Sequence, residues 1–274
     1  MQLALAIATA EVAAPPPVAL LSGSFKERLE KAKHLGYWGV ELMTARPAEL
    51  DSQALLDELR QAGLKPVAIA SGPAYMQDGL TLLARSDEIS KQAIARLEKM
   101  IELASQVGAP LVTIGSFRGR LAWAGGQESR ALLIEILRQA TGQAAASGVR
   151  LALEPLNRYE TDLIRNAAEG LDFLEEVGAD NLGLLLDTFH MNIEEVDLQA
   201  TIYRVYSAGK LFHVHLGDSN RLPPGKGHID FGALVRTLQA IGYNGCLSAE
   251  LFPRPDPDTA AFDTITHMQQ WLEG

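Results

Sequence analysis

Four apolar runs in the second half of the chain each end in a residue able to ligate a metal. Val149 to Leu153 ends at Glu154, Leu182 to Leu186 at Asp187, Leu211 to Val214 at His215, and Cys246 to Ala249 at Glu250. The intervals are 33 residues (154 to 187), 28 (187 to 215) and 35 (215 to 250), each the length of one strand with its return helix. Any single acid at a strand end is more often a capping or salt-bridged residue. Four in register point instead to one shared site. Two Glu, one Asp and one His make an oxygen-rich set with one imidazole, suited to a divalent ion such as Mn²⁺, with Co²⁺ or Mg²⁺ as alternatives, rather than a sulfur-bound structural zinc.

The elements that must position these residues follow from periodicity. Short Val/Ile/Leu/Ala runs alternate with longer segments of helical period, the pattern of a parallel sheet covered by helices. Strands are expected near residues 2–8, 38–42, 66–70, 110–114, 149–154, 182–187, 211–215 and 246–250, and helices near 24–35, 51–62, 87–107, 128–147, 167–177, 197–208, 231–241 and 258–272. Eight such units in residues 1–274, with no linker between them, predict a single α/β domain, a (β/α)8 TIM barrel. Strand ends of one polarity then share the face where barrel enzymes keep their active sites. The segments after strands three and four, Ser71 to Leu80 and Gly115 to Arg120, are expected to be loops on that face.

Charge and composition exclude several function classes. With 24 basic and 34 acidic residues, the net charge of −10 repels a phosphate backbone, so nucleic acid is not expected as a partner. The apolar stretch Leu3 to Ala10 has no basic leader and is too short to cross a bilayer, so it is expected to be the first strand and no membrane association is expected. The lone Cys246 cannot form an internal disulfide, which fits a cytoplasmic location.

Three segments carry a family resemblance. They are Glu154-Pro155-Leu156-Asn157-Arg158-Tyr159-Glu160, Asp187-Thr188-Phe189-His190-Met191-Asn192, and His213-Val214-His215 followed by Ser219-Asn220-Arg221. In this order and spacing the chain resembles the ketose 3-epimerases of the D-tagatose and D-psicose type, within the xylose-isomerase-like barrel superfamily. The resemblance covers most of the chain and is strongest from residue 149 to 250. It implies that Glu154, Asp187, His215 and Glu250 are the metal ligands and that Glu154 and Glu250 are also the acid/base pair. It further implies that His190 and Arg221 hold sugar oxygens near the carbonyl, and that Glu160 orients the substrate beside Glu154. The chemistry agrees: inverting a carbon next to a ketone needs a proton removed from one face and returned to the other, with the enediolate stabilised between. A divalent Lewis acid serves that middle step.

The loops at Ala70 to Leu80 and Arg118-Gly119-Arg120 look like those of the branch acting on 5-keto-L-gluconate, a keto-sugar acid. Arg118 and Arg120 would then meet the substrate carboxylate, since a guanidinium fork matches it in two parallel hydrogen bonds. Neutral ketose 3-epimerisation, on substrates of the D-tagatose, D-psicose or L-ribulose type, is the alternative, as is an aldose–ketose isomerase such as hydroxypyruvate isomerase. A remoter alternative is the superfamily's abasic-site endonucleases, which share a strand-end Glu and the D-x-x-H pattern of Asp187 and His190 but need more histidines than this chain has early on. His213 competes with His215 as ligand and is expected to be a barrel-interior residue or a hydrogen-bond donor behind the site. Arg158 has a local salt bridge as its competing role. His228 is a loop residue able to touch substrate, and Trp123 walls either a sugar pocket or a subunit contact. Barrels of this family usually associate, so a homo-oligomer is possible.

Overall fold

Buried on both faces, the apolar runs form strands with almost no exposed residue: Gln2–Ala8 (β1), Gly39–Met43 (β2), Lys65–Ala70 (β3), Leu111–Ile114 (β4), Arg150–Leu153 (β5), Leu182–Asp187 (β6), Leu211–Leu216 (β7) and Cys246–Ala249 (β8). In the computed structural model, which describes residues 1–272, they pair in parallel and in sequence order, and β8 closes on β1. The fold is a (β/α)8 TIM barrel. Helices Phe25–Leu35 (α1), Ser52–Ala62 (α2), Gly72–Asp78 (α3), Asp87–Val107 (α4), Ser129–Ala146 (α5), Ala167–Val177 (α6), Thr188–Glu194 (α7), Leu198–Ser207 (α8), Phe231–Ala240 (α9) and Pro257–Leu272 (α10) complete it. Among the described residues no helix is long and apolar enough to cross a membrane.

Local chemistry sets the helix ends. Ser24 and Glu27 form a reciprocal capping box at the start of α1, which stops at Gly36 with φ 94°, a left-handed conformation that costs other residues a steric penalty. Asp51, Ser86, Asn166, Asp197 and Asp230 are the side-chain N-caps of α2, α4, α6, α8 and α9, each accepting a first-turn backbone N–H without the reciprocal bond.

Two segments differ from expectation. The stretch after β3 contains α3, with Pro73 in its first turn and Gly79 in the left-handed region at its end. The residues after β6 turn at once into α7, because the carboxylate that ends the strand also caps the helix. The second difference matters for the site.

Register places the four strand-end residues together. Asp187 pairs with His215 across β6 and β7, and His215 with Ser248 across β7 and β8. Glu154 follows Leu153 and Glu250 follows Ala249, each one residue beyond its strand. β5 and β8 stand three positions apart round the closed barrel, so their carboxylates approach the axis from well-separated directions.

Candidate active site

Glu154, Asp187, His215 and Glu250 each present one ligand atom, and the four atoms lie within 4.8 Å of one another. His215 Nδ1 is 3.8 Å from Glu154 Oε1 and 3.5 Å from Glu250 Oε2. Glu154 Oε1, Asp187 Oδ2 and His215 Nδ1 are buried without any hydrogen-bond partner. Leaving such groups unpaired costs about 1–3 kcal/mol each, more if charged, so three of them aimed at one point call for something that satisfies all three. A cation does so, and the donor set of three carboxylate oxygens and one imidazole nitrogen fits a divalent ion of the Mn²⁺ or Mg²⁺ kind.

The electrostatics agree with that fit. Burial, reinforced by the neighbouring Glu250, raises the Glu154 carboxyl to about 7, and burial raises Asp187 to about 6. Burial also works against ionisation of Glu250, but His215 and Arg221 outweigh it and hold Glu250 below the usual range. His215 is pushed the other way: burial disfavours its charge, yet Glu41 and Glu250 lift its pKa well above normal. The cluster therefore seeks positive charge, either as a proton or as a metal ion.

Each candidate ligand is held by a second contact. Asp187 spends Oδ1 on capping α7, accepting from Phe189 N–H at 2.7 Å, which turns Oδ2 toward the cluster. Behind Glu154 stands Gly115, where an added Cβ would lie 2.3 Å from Glu154 Oε2, so the β4 loop must have glycine for the carboxylate to fit. His215 donates through Nε2 to Glu41 Oε2 at 2.9 Å, which leaves Nδ1 to the cluster. His213 reaches the same oxygen through its own Nε2 at 3.0 Å, so it stands behind the ligand and is not one of the four.

Glu41 is fully buried on β2, and sequence reasoning missed it. Its signal was an acid in the middle of a strand expected to be buried on both faces, a position where ionised groups are found only when paired. Burial alone would raise its pKa, but His215 and His213 hold it well below the ordinary carboxylate range.

Arg221 closes the other side. Its guanidinium lies 3.3 Å from Glu250 Oε2 and 3.5 Å from Glu160 Oε1, stacked over Phe189. The backbone there is left-handed, φ 60°, an uncommon state for arginine that the surrounding loop must impose. Asp218 does this. Fully buried, its carboxylate accepts N–H groups from Ser219, Gly225, Gly227 and Ile229, and its carbonyl accepts from Arg221 N–H at 2.7 Å.

The cavity above the cluster has a volume of about 240 Å³ and is lined by Tyr75, Ser116, Glu160, His215, Arg221 and Phe252 among others. Residues 29–271 match the model of the xylose isomerase-like TIM barrel family. The chain belongs to that family. Within it, the chain is 34% identical over 226 residues to an L-ribulose 3-epimerase of Mesorhizobium japonicum, covering 82% of this chain and 74% of the relative. It is also 28% identical over 257 residues to a 3-dehydro-D-guloside 4-epimerase of Escherichia coli, covering 90% and 93%. A solved L-ribulose 3-epimerase structure superposes with a TM-score of 0.79 at 28% identity, covering 98% of this chain and 94% of that one. This family member is a sugar epimerase, as the three motifs implied.

Not all the expected substrate contacts of the epimerase lie in the cavity. Arg118 does not reach the mouth: it is 0% exposed, and its guanidinium donates to the carbonyls of Gly115, Glu154, Leu163 and Ile164. Burial, against the pull of Glu154, lowers its pKa to about 10. An arginine next to glycine in a loop reads as a surface residue, but here its five donors all go to backbone carbonyls where the β4 and β5 loops meet. Arg118→Ala should therefore destabilise the epimerase by about 2–4 kcal/mol, since five hydrogen bonds are lost and the Glu154 carbonyl, unlike those of Gly115, Leu163 and Ile164, keeps no other donor. Urea unfolding followed by fluorescence measures this; an unchanged midpoint would mean the carbonyls find other partners.

Arg120 does lie at the site's rim. It stacks over Trp123 and donates to the Glu160 carbonyl at 2.7 Å. Trp123 in turn sits 5.8 Å from the Tyr75 ring, and these residues wall a second lobe of about 200 Å³ that shares Tyr75, Ser116, Leu156 and Glu160 with the main cavity. Glu160 lines the cavity and His190 is buried behind its wall with Nε2 3.9 Å from Glu154 Oε1, whereas Arg158 turns away into a salt bridge with Glu194 at 2.8 Å. His228 is exposed on the loop and its backbone N–H donates to Ser219 Oγ.

Proposed function

We propose that this epimerase inverts a hydroxyl-bearing carbon next to the ketone of a keto-sugar acid of the 5-keto-gluconate type, with Glu154, Asp187, His215 and Glu250 holding one divalent ion, Mn²⁺ foremost. The observation that carries this reading is the pair of buried carboxylates on β5 and β8, one raised and one lowered in pKa, beside three unpartnered ligand atoms. Environments that push two acids apart are what a proton donor and acceptor require. The cation, when bound, supplies Lewis-acid stabilisation of negative charge on the substrate oxygens. The ionised carboxylate removes the proton from the carbon beside the carbonyl, and the electron pair moves onto the carbonyl oxygen to give an enediolate. The protonated carboxyl on the other side then delivers its proton to the opposite face, and the carbon returns inverted. His190 Nε2, 3.9 Å from Glu154 Oε1, and the Arg221 guanidinium, which lines the cavity, hold the oxygens in place. Glu160, joined to Arg221, orients the substrate beside Glu154.

Arg120 supports the acid substrate. It walls a lobe continuous with the reactive cavity, where the far end of a six-carbon chain would lie. A neutral ketose is the second reading, favoured by the relative that acts on L-ribulose and by the carbonyls already occupying part of the Arg120 guanidinium. One comparison separates them. A charged hydrogen bond is worth about 1.5–3 kcal/mol, so Arg120→Ala should lower kcat/KM for the acid by about 10- to 150-fold and leave a paired substrate with a hydroxymethyl group almost untouched. If wild type prefers the neutral member of the pair, the substrate is a plain ketose.

A further inference from the structure

His190 meets two donors on one nitrogen. Its Nδ1 faces the Asn157 backbone N–H at 3.3 Å and the Asn157 side-chain nitrogen at 2.8 Å. The orientation of that amide is fixed by its other bonds: Asn157 Oδ1 accepts from Tyr159 N–H at 3.0 Å, and Nδ2 also donates to Glu160 Oε1 at 2.9 Å. Both groups at Nδ1 are therefore hydrogen donors, and Nδ1 must supply the lone pair. An imidazolium would carry hydrogen on both nitrogens, so a bare Nδ1 facing two donors means that the ring is neutral. A neutral ring with a bare Nδ1 carries its hydrogen on Nε2. That nitrogen is buried without a partner, 3.9 Å from Glu154 Oε1.

We propose that Asn157 is a positioning residue that locks His190 as the Nε2–H tautomer, so that a neutral N–H, and not an acceptor nitrogen, points at the substrate oxygen on which negative charge develops. The inference rests on the epimerisation chemistry proposed above for its purpose, but not for the tautomer itself. A neutral donor suits the task, because it stabilises an oxyanion without the pull toward protonation that an imidazolium would exert. Asn157 is well placed for a second reason. Its two amide hydrogens join His190 to Glu160, and Glu160 is itself paired with Arg221, so one side chain sits in a chain of groups around the site.

The chain has six histidines, few enough for direct spectroscopy. In ¹⁵N-histidine-labelled, Mg²⁺-loaded protein, with signals assigned by their loss in His190→Gln, the wild type should show a lone-pair Nδ1 and a protonated Nε2. Asn157→Asp places an acceptor against Nδ1 and should move that signal to the N–H region, with kcat reduced about 100-fold, the scale of losing one oxyanion donor, and KM little changed. Asn157→Ala, which keeps the backbone N–H and adds no charge beside Glu160, should give mixed tautomers and a smaller loss of kcat. A protonated Nδ1 in wild type overturns the proposal, and so do an Asn157→Asp spectrum or kcat equal to wild type. If the tautomer is as expected but no keto sugar is epimerised, the proposed reaction fails and the hydrogen-bond assignment stands.

Discussion

Glu154→Gln and Glu250→Gln are each expected to lower kcat by at least about 100-fold, the lower range for a positioned acid or base. Each change keeps the side chain's size but removes a proton carrier from a buried pair whose ligand atoms lie within 4.8 Å. The two losses should not multiply, because inversion needs both members and the first removal already disables the cycle. Each glutamine also removes one negative charge from the cluster, so cation occupancy has to be measured on the same samples and kept saturating. Should either variant retain more than about a tenth of wild-type kcat, a barrier change under about 1.4 kcal/mol, that residue is neither acid nor base.

Removing the divalent ion should have an effect as large. Protein treated with chelator is expected to lose epimerisation, with Mn²⁺ or Co²⁺ restoring it best; full activity in rigorously metal-free protein would refute the metal reading. The pH dependence of binding gives an independent check. Glu154, raised to about 7, and Asp187, raised to about 6, are largely protonated in the cation-free protein below those values; Asp187 must lose its proton to become a ligand, whereas Glu154 can bind through one oxygen and keep on the other the proton it delivers. His215, whose pKa is also raised, must lose its proton from Nδ1. Binding therefore releases protons, and affinity should rise as pH passes through about 6 and beyond. Calorimetry in two buffers of different ionisation enthalpy reads this directly: a buffer-dependent heat is expected, and a buffer-independent heat near pH 6.5, between the two carboxyl values, would contradict it.

Sequence patterns made the barrel and the cluster of four candidate ligands visible for a physical reason. A strand buried on both faces writes a continuous apolar run, and the residue ending that run is set by chain geometry on a known face, so Glu154, Asp187, His215 and Glu250 could be read one strand at a time. The capped helices were equally local. Glu41 was not legible, because its meaning depends on His213 and His215 crossing the barrel interior from β7 to meet it. Arg118 misled for the converse reason: its loop position suggested solvent, while all its side-chain hydrogen bonds except the one to Gly115 run to residues 36 to 46 positions further along the chain. The tautomer of His190 likewise depends on which end of the Asn157 amide faces it, a fact fixed by Tyr159 N–H and invisible in composition or spacing.

The central claim is that two carboxylates on opposite sides of one carbon exchange its proton. Proton NMR in D₂O, on the cation-loaded enzyme with paired keto acids and ketoses, tests it most directly. With two separate acids, early product should carry deuterium at the inverted carbon next to the ketone, while the remaining substrate stays protonated there. Product that keeps its original hydrogen, or deuterium appearing at an aldose carbon instead, would contradict the two-carboxylate epimerisation.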